Sequence, residues 1–376
     1  MNIPNIKPDL PTLEQVSKEF GEILSNGKIT NFGKYVTMFE ELAGSYLGTH
    51  TATISSGTMG LLFALQSVGV KPGQKVIIPS FTFMATAQAV LYAGGIPLFA
   101  EIDDDFNLCT EDLKQLLATH DNIGCVIPVH MYGLPCKTEM IESIVKTEAQ
   151  KRGIEIPVIY DAAHAFGSLK NNQKVGRDGT AEVFSLSVTK ILVSVEGGLV
   201  SSQDKVLIDR IKKMRGYGIE SNYNTCWPGL NGKMSEFHAI VGIESLKNLE
   251  ANLAQRQRQA AYYSDLIKKQ TSFGLQPIPG NVRHTFKDFT IVLPDSLIEK
   301  RDLIMNELKE RGVETRAYFY PPVHEQTYFK KYADRTMPRT ELLARKVITL
   351  PFFTSITKEQ VDYIVEALIA TERKVS

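Results

Sequence analysis

The chain has 376 residues, 43% apolar and 22% charged, an ordinary balance for a folded soluble protein and long enough for two domains of roughly 100–200 residues each. Its 42 basic and 42 acidic residues cancel without any charge run, so nucleic acid is not expected as a partner. The four cysteines, Cys109, Cys125, Cys136 and Cys226, have no paired spacing and read as reduced cytosolic thiols packed as small apolar residues.

Met1-Asn-Ile-Pro-Asn-Ile-Lys-Pro lacks the charged head and apolar stretch of a secretion signal, which points to the cytoplasm. Thr12-Leu-Glu-Gln15 is a capping box. It predicts a helix with Leu13, Val16, Phe20 and Ile23 on one face, ended by Asn26-Gly27. Ser56-Gly57-Thr58 opens a second helix, striped by Leu61, Leu65 and Val68 and stopped at Gly69. Val76 to Ala100 is 25 residues without a charge. Pro79, Pro97, Gly94, Gly95 and Gln88 make it strand, loop, helix and strand rather than a lipid span of roughly 20 residues, so no membrane is expected.

Lys75–Ile78, Pro97–Glu101, Cys125–Val129, Pro157–Tyr160 and Glu182–Ser185 read as strands. Thr110–Thr119 and Lys137–Lys151 read as helices between them. This alternation predicts an α/β fold, a mostly parallel sheet with helices on both faces and ligands at the carboxyl ends of the strands. Lys233 to Lys269 has no Pro and a helical pattern, as a long connecting helix would. Phe286 to Leu293 partly alternates, like a half-buried strand. Thr357-Lys-Glu-Gln360 is another capping box, opening a last helix with Val361, Ile364, Val365 and Leu368 on its inner face. Residues 1–244 are therefore expected to form a large domain, and 245–376 a smaller α+β one.

The chemistry concentrates around Lys190, in Phe184-Ser-Leu-Ser-Val-Thr-Lys190-Ile-Leu-Val-Ser-Val-Glu-Gly-Gly198. It stands in a stretch, Val183 to Val195, with no other charge. Val158-Ile-Tyr-Asp161-Ala-Ala-His164-Ala-Phe-Gly167 delivers a carboxylate at the end of an apolar strand, where it would be costly to bury unpaired. A lysine and an aspartate so placed suit pyridoxal phosphate. The lysine can form a Schiff base, and the aspartate can keep the pyridine nitrogen protonated. Ser56-Gly57-Thr58 at a helix start suits the phosphate, although an ordinary N-cap would look the same. Phe83 could stack on a flat ring or belong to the core. His164 could press on the ring or be structural. The seven histidines show no metal-ligand spacing, so no metal is expected. There is no Gly-x-Gly-x-x-Gly or Walker loop and no Gly-x-Ser-x-Gly elbow.

Taken together, Asp-Ala-Ala-His-Ala-Phe-Gly, Ser-x-x-x-Thr-Lys-x-x-x-x-x-Glu-Gly-Gly, Ser-Gly-Thr and Pro-Ser-Phe-Thr-Phe-x-Ala-Thr resemble the DegT/DnrJ/EryC1/StrS nucleotide-sugar aminotransferases. The likeness runs from Asn31-Phe-Gly33 and Phe39-Glu40 to Leu350-Pro351. It implies the type I, aspartate-aminotransferase-like fold. It makes Lys190 the Schiff-base lysine and proton shuttle, Asp161 the partner of the pyridine nitrogen, and His164 and Phe83 neighbours of the ring. Gly57, Thr58 and Ser185 become phosphate ligands. Gly229-Leu-Asn231-Gly-Lys233-Met resembles a family segment whose Asn reaches the cofactor phosphate of the other subunit, which implies a homodimer with shared active sites. The family often has Arg where Lys233 stands; Lys keeps the charge and loses the bidentate fork. Val313-Glu-Thr-Arg316-Ala-Tyr318-Phe-Tyr-Pro-Pro-Val-His324 resembles the segment over the sugar-nucleotide site, which would make Arg316, Tyr318, His324 and Lys233 substrate residues. Arg316 and His324 could equally pin the two domains together.

The resemblance implies transfer of an amino group from L-glutamate to a nucleotide-linked keto sugar. It is greatest to the enzymes that aminate C4 of dTDP-4-dehydro-6-deoxy-D-glucose. A 3-keto or UDP-linked sugar, or a dehydratase using the same cofactor, are the alternatives; Lys190, where those dehydratases have His, favours transamination.

Overall fold

A computed structural model describes residues 1–375. The first helix, α1 (Leu13–Asn26), begins with the expected reciprocal cap: Gln15 Oε1 accepts from the Thr12 amide at 2.8 Å and Thr12 Oγ1 accepts from the Gln15 amide at 3.4 Å. Gly27 ends it in the left-handed conformation that glycine adopts without strain. Val16 and Ile23 are buried as expected, but Leu13 is 76% exposed. Helix α2 (Lys34–Leu47) has Gly33 at its N-cap and therefore no side-chain cap of its own. Glu236, about two hundred residues on, supplies one by accepting from the amides of Gly33 at 2.8 Å and Tyr35 at 2.7 Å. The free amides and helix dipole at that end explain why a carboxylate is buried there.

Seven strands form the first sheet: β1 (His50–Ile54), β2 (Lys75–Pro79), β3 (Ile96–Ala100), β4 (Ile123–Val126), β5 (Ile159–Asp161), β6 (Ala181–Ser185) and β7 (Gly198–Ser202). Hydrogen bonding, with parallel bridges Val126–Val158 and Val129–Asp161 joining the two halves, orders them β3-β2-β4-β5-β6-β7-β1. β7 alone runs against the others, antiparallel to both β6 and β1. The sheet is thus mostly parallel.

Successive residues of β2 face opposite ways. Val76 and Ile78 join the core under α3 (Gly57–Ser67), α4 (Met84–Tyr92) and, further on, Lys205–Met214. Ile77 joins the core under α5 (Thr110–Thr119) and α6 (Thr138–Arg152). Each fully buried aliphatic side chain contributes roughly 1.5–3 kcal/mol, so both faces need their helices. The uncharged run from Val76 to Ala100 is β2, α4 and β3, and among the described residues no helix is long and apolar enough to cross a membrane.

Counting Lys205–Met214 as α7, α8 (Glu236–Gln270) is a 35-residue helix. It leaves the first sheet and packs Ala260, Tyr263 and Ile267 on a second one. That antiparallel sheet has the order β8-β9-β10, from β8 (Gly274–Leu275), β9 (Phe289–Val292) and β10 (Val347–Leu350). Helix α9 (Arg301–Glu310), α10 (Pro338–Lys346) and α11 (Lys358–Val375) complete this part. Thr357 and Gln360 exchange the second capping-box pair, and Val361, Ile364, Val365 and Leu368 are all buried.

Two expectations are corrected. Phe286–Leu293 is not half-buried: β9 is central in its sheet, and even Lys287 and Asp288 before it are buried. Of the free cysteines, Cys109, Cys125 and Cys136 are buried, but Cys226 is exposed, beside a two-stranded hairpin (Ile219–Ser221 with Asn224–Thr225) that stands away from both cores.

Candidate active site

The site lies at the carboxyl ends of the parallel strands. Beyond β1, Ser56 caps α3, its Oγ accepting from the Met59 amide at 3.2 Å. That leaves the amides of Gly57 and Thr58 at the helix mouth, where the dipole favours an anion. The approach is close: a Cβ on Gly198 would stand 2.5 Å from the Ser56 carbonyl oxygen, and one on Gly57 would stand 3.0 Å from Ser185 Cβ. Ser185 ends β6, and the hydroxyls of Ser185, Ser187 and Thr189 follow one another at 3.5 Å.

Asp161 ends β5, next to Val183 of β6 in the parallel register. Its Oδ2 accepts from Thr86 Oγ1 at 2.8 Å and its Oδ1 from the Ala163 amide at 3.1 Å. Thr82 Oγ1 lies 2.9 Å from Thr86 Oγ1. Burial raises this carboxyl above the ordinary range, against the pull of the Thr86 and Ala163 bonds. A cationic N–H donor would repay that burial directly.

Lys190 sits in the loop between β6 and β7. Burial, and next the positive field of Lys287, bring its amine down to about 8. His164 is buried and held neutral, far below its usual range, chiefly by burial. Its Nδ1 is buried without a hydrogen-bond partner among the described residues. Phe83 is half-exposed at the start of α4. The Phe319 ring lies nearly parallel to His164, with centroids 6.3 Å apart.

A cavity of about 420 Å³ joins these parts. It brings together Lys190, Asp161, Gly57, Thr58, Phe83, His164, Ser185 and Tyr318. The other expected residues lie outside its lining. Asn231 is exposed and bridges to Gly216. Lys233 places its ammonium 5.0 Å from the Tyr217 ring. Arg316 is exposed and paired with Glu314 beside Tyr318. His324 is buried: its Nδ1 lies 2.5 Å from Ser80 Oγ and its Nε2 3.3 Å from Glu341, a contact that ties the chain after Pro322 to the end of β2.

Lys287, Asp288, Thr86 and Phe319 were not expected in the site. Lys287 and Asp288 are both buried, and Lys287 Nζ bonds Asp288 Oδ1 at 2.7 Å. A charged doublet directly before an apolar run, Phe289 to Leu293, was the sequence signal for them.

The residues fit pyridoxal phosphate. A buried carboxyl can accept from an N–H, a helix mouth and nearby hydroxyls can hold a phosphate, and a lysine amine brought down to about 8 lines the same cavity. Bound there, the cofactor supplies an electron sink for the carbon attached to nitrogen. Asp161 would hold the ring nitrogen, the α3 mouth with Ser185 the phosphate, His164 and Phe83 the ring faces, and Lys190 would carry protons. Fold and site define a pyridoxal-phosphate-dependent transferase of the type I fold.

Comparison with known proteins gives the family. Residues 12–369 match the model of the DegT/DnrJ/EryC1/StrS aminotransferase family, and the chain belongs to it. It is 30% identical over 375 residues, 98% of each chain, to dTDP-4-amino-4,6-dideoxy-D-glucose transaminase of Escherichia coli. It is 31% identical over 362 residues, 96% of this chain and 95% of the other, to a UDP-N-acetyl-3-dehydro-alpha-D-glucosamine 3-aminotransferase of Acidithiobacillus ferrooxidans. The crystal structure of DesI with its TDP-sugar product superposes with a TM-score of 0.91 at 28% identity, covering 100% of this chain and 94% of that one. The chain is thus a pyridoxal-phosphate-dependent nucleotide-sugar aminotransferase.

Proposed function

We propose that the enzyme transfers the amino group of L-glutamate to C4 of dTDP-4-dehydro-6-deoxy-D-glucose, giving dTDP-4-amino-4,6-dideoxy-D-glucose. The observation that carries the reaction class is the single cavity holding Lys190, Asp161 and the α3 mouth. Lys190, its amine brought down to about 8, would accept the proton from Cα of the donor and return it on the sugar side, with the bound cofactor supplying the electron sink. Asp161 would hold the ring nitrogen protonated. Glutamate as donor follows from the family resemblance. The C4 and dTDP assignments are supported by the 30% identity to the Escherichia coli enzyme.

Asn231 and Lys233, outside the cavity of their own chain, act in a homodimer, with Asn231 reaching the cofactor phosphate of the partner. Arg316 and Tyr318 meet the sugar nucleotide at the rim. The chain divides near residue 245 into a large cofactor domain and a smaller one, and it works in the cytoplasm.

The test is product identification by mass spectrometry and NMR after incubation with L-glutamate and a panel of dTDP-, UDP- and GDP-linked 4-keto and 3-keto sugars. The expected result is highest kcat/KM for the dTDP-linked 4-keto sugar with a gluco product. The 31% identity to a 3-aminotransferase acting on a UDP-sugar gives the second reading, and preference for a 3-keto or UDP-linked sugar would establish it. A deoxy sugar with released ammonia would mean dehydration.

A further inference from the structure

Five formally charged side chains line the cavity: Asp161, Lys190, Glu196, Lys287 and Asp288. Lys190 is consumed by the chemistry. Lys287 is then the one remaining lysine or arginine among the lining residues. It is 5% exposed, a costly place for an ammonium unless it is held and used. It is held. Its amide donates to the Tyr132 carbonyl at 3.1 Å, its Nζ donates to Asp288 Oδ1 at 2.7 Å, and the same Nζ lies 5.6 Å from the Tyr318 ring centroid. An ammonium has three donors, and the hydrogen bond to Asp288 uses one.

Resting on the aminotransferase reading above, we propose that Lys287 is the group that recognises the α-carboxylate of the amino donor, with Asp288 as its positioning residue. Position decides which anion it serves. The cofactor phosphate has its own place at the α3 mouth. The diphosphate of a nucleotide sugar lies a whole sugar ring away from the carbon that reacts. The α-carboxylate is one bond from the Cα whose proton Lys190 moves, and Lys287 exerts the largest charge effect on Lys190. Lys287 and Lys190 line the same cavity, so the cation can meet an α-carboxylate while Lys190 reaches the neighbouring Cα. It also distinguishes the two half-reactions, since the keto sugar brings no charge to this end of the cavity.

The experiment uses holoenzyme under single-turnover conditions, following loss of the cofactor band with L-glutamate and with 4-aminobutyrate, which is glutamate without the α-carboxylate. Glutarate affinity is measured by calorimetry. Lys287→Gln is expected to lower kcat/KM for L-glutamate about 10- to 100-fold, mainly through KM, as for loss of a charge-assisted hydrogen bond. The loss with 4-aminobutyrate should be at least about tenfold smaller, and Lys287→Arg should stay within about threefold of wild type on the same scale. Lys287→Gln leaves Asp288 buried alone and could fail to fold. Replacing both together, Lys287→Met with Asp288→Leu, removes that penalty and must show the same selective loss.

Equal losses with both amines would mean a structural role and overturn the proposal. So would an unchanged glutamate KM and glutarate affinity, and in that case the aminotransferase reading would stand. If wild type consumed no amino acid yet bound glutarate through Lys287, the donor assignment would fall and the carboxylate site would remain.

Discussion

The state of Lys190 before any cofactor arrives can be measured directly. An ordinary lysine amine titrates at 10.5 and this one at about 8. At pH 7.5 about a quarter of Lys190 is then neutral, against roughly one part in a thousand for an ordinary lysine, a ratio of about 200 in reactive amine. The assay is trace labelling of the apoenzyme with acetic anhydride from pH 6 to 11, with the Lys190 peptide quantified by mass spectrometry. Exposed lysines, inflecting near 10.4, serve as internal standards. Labelling of Lys190 should be slow below pH 7, rise through an inflection near 8 and level off by pH 9. Burial is the leading cause and the charge of Lys287 the second, so Lys287→Gln should raise the inflection only part of the way back. An inflection above about 9.5 in wild type would refute the reasoning. Full recovery to 10.5 in the variant would show that charge, not desolvation, sets the value.

Asp161→Asn should still bind the cofactor but deaminate glutamate roughly 10- to 100-fold more slowly, since an amide cannot stabilise the charged ring nitrogen; stopped-flow loss of the cofactor band measures it, and a wild-type rate would remove Asp161 from that role. Gly198→Ala places a methyl group against the Ser56 carbonyl and should cost about 1–3 kcal/mol of stability by thermal melting, along with cofactor affinity by fluorescence titration. Lys190→Ala should lose the cofactor attachment that borohydride fixes, read as the missing mass adduct. Mixed with an inactive Asn231 variant, it should regain partial activity as heterodimers; no recovery after verified subunit exchange would place Asn231 within its own chain's site.

What could be read from the chain follows the range of the forces. Both capping boxes involve residues three apart, and both formed. Asp161 and Lys190 stood out because each carries a charge into an apolar setting that local sequence already describes. The α2 helix has no such local sign, because its cap comes from Glu236 across the fold. β7, Gly198-Leu-Val-Ser-Ser202, is too rich in small polar residues to read as a buried strand, and its burial comes from lying between β6 and β1. Lys287 and Asp288 read only as part of a half-buried strand; the charged doublet before Phe289 was a signal, but the cavity it faces is built largely by distant residues of the first sheet. Asn231, Lys233, Arg316 and His324 were placed by resemblance, and the fold of a single chain leaves them outside the lining.

The segment carrying Lys287 is also stitched to the loops behind the cofactor site. Thr285 Oγ1 donates to the His164 carbonyl at 2.7 Å, and the Lys287 amide donates to the Tyr132 carbonyl. These attachments tie the orientation of Lys287 to the placement of His164. For anyone exchanging parts between related enzymes, residues 284–288 and the loops at 131–133 and 162–166 form one transplantable unit. Moving the short C-terminal piece alone would carry over the charge but not its aim.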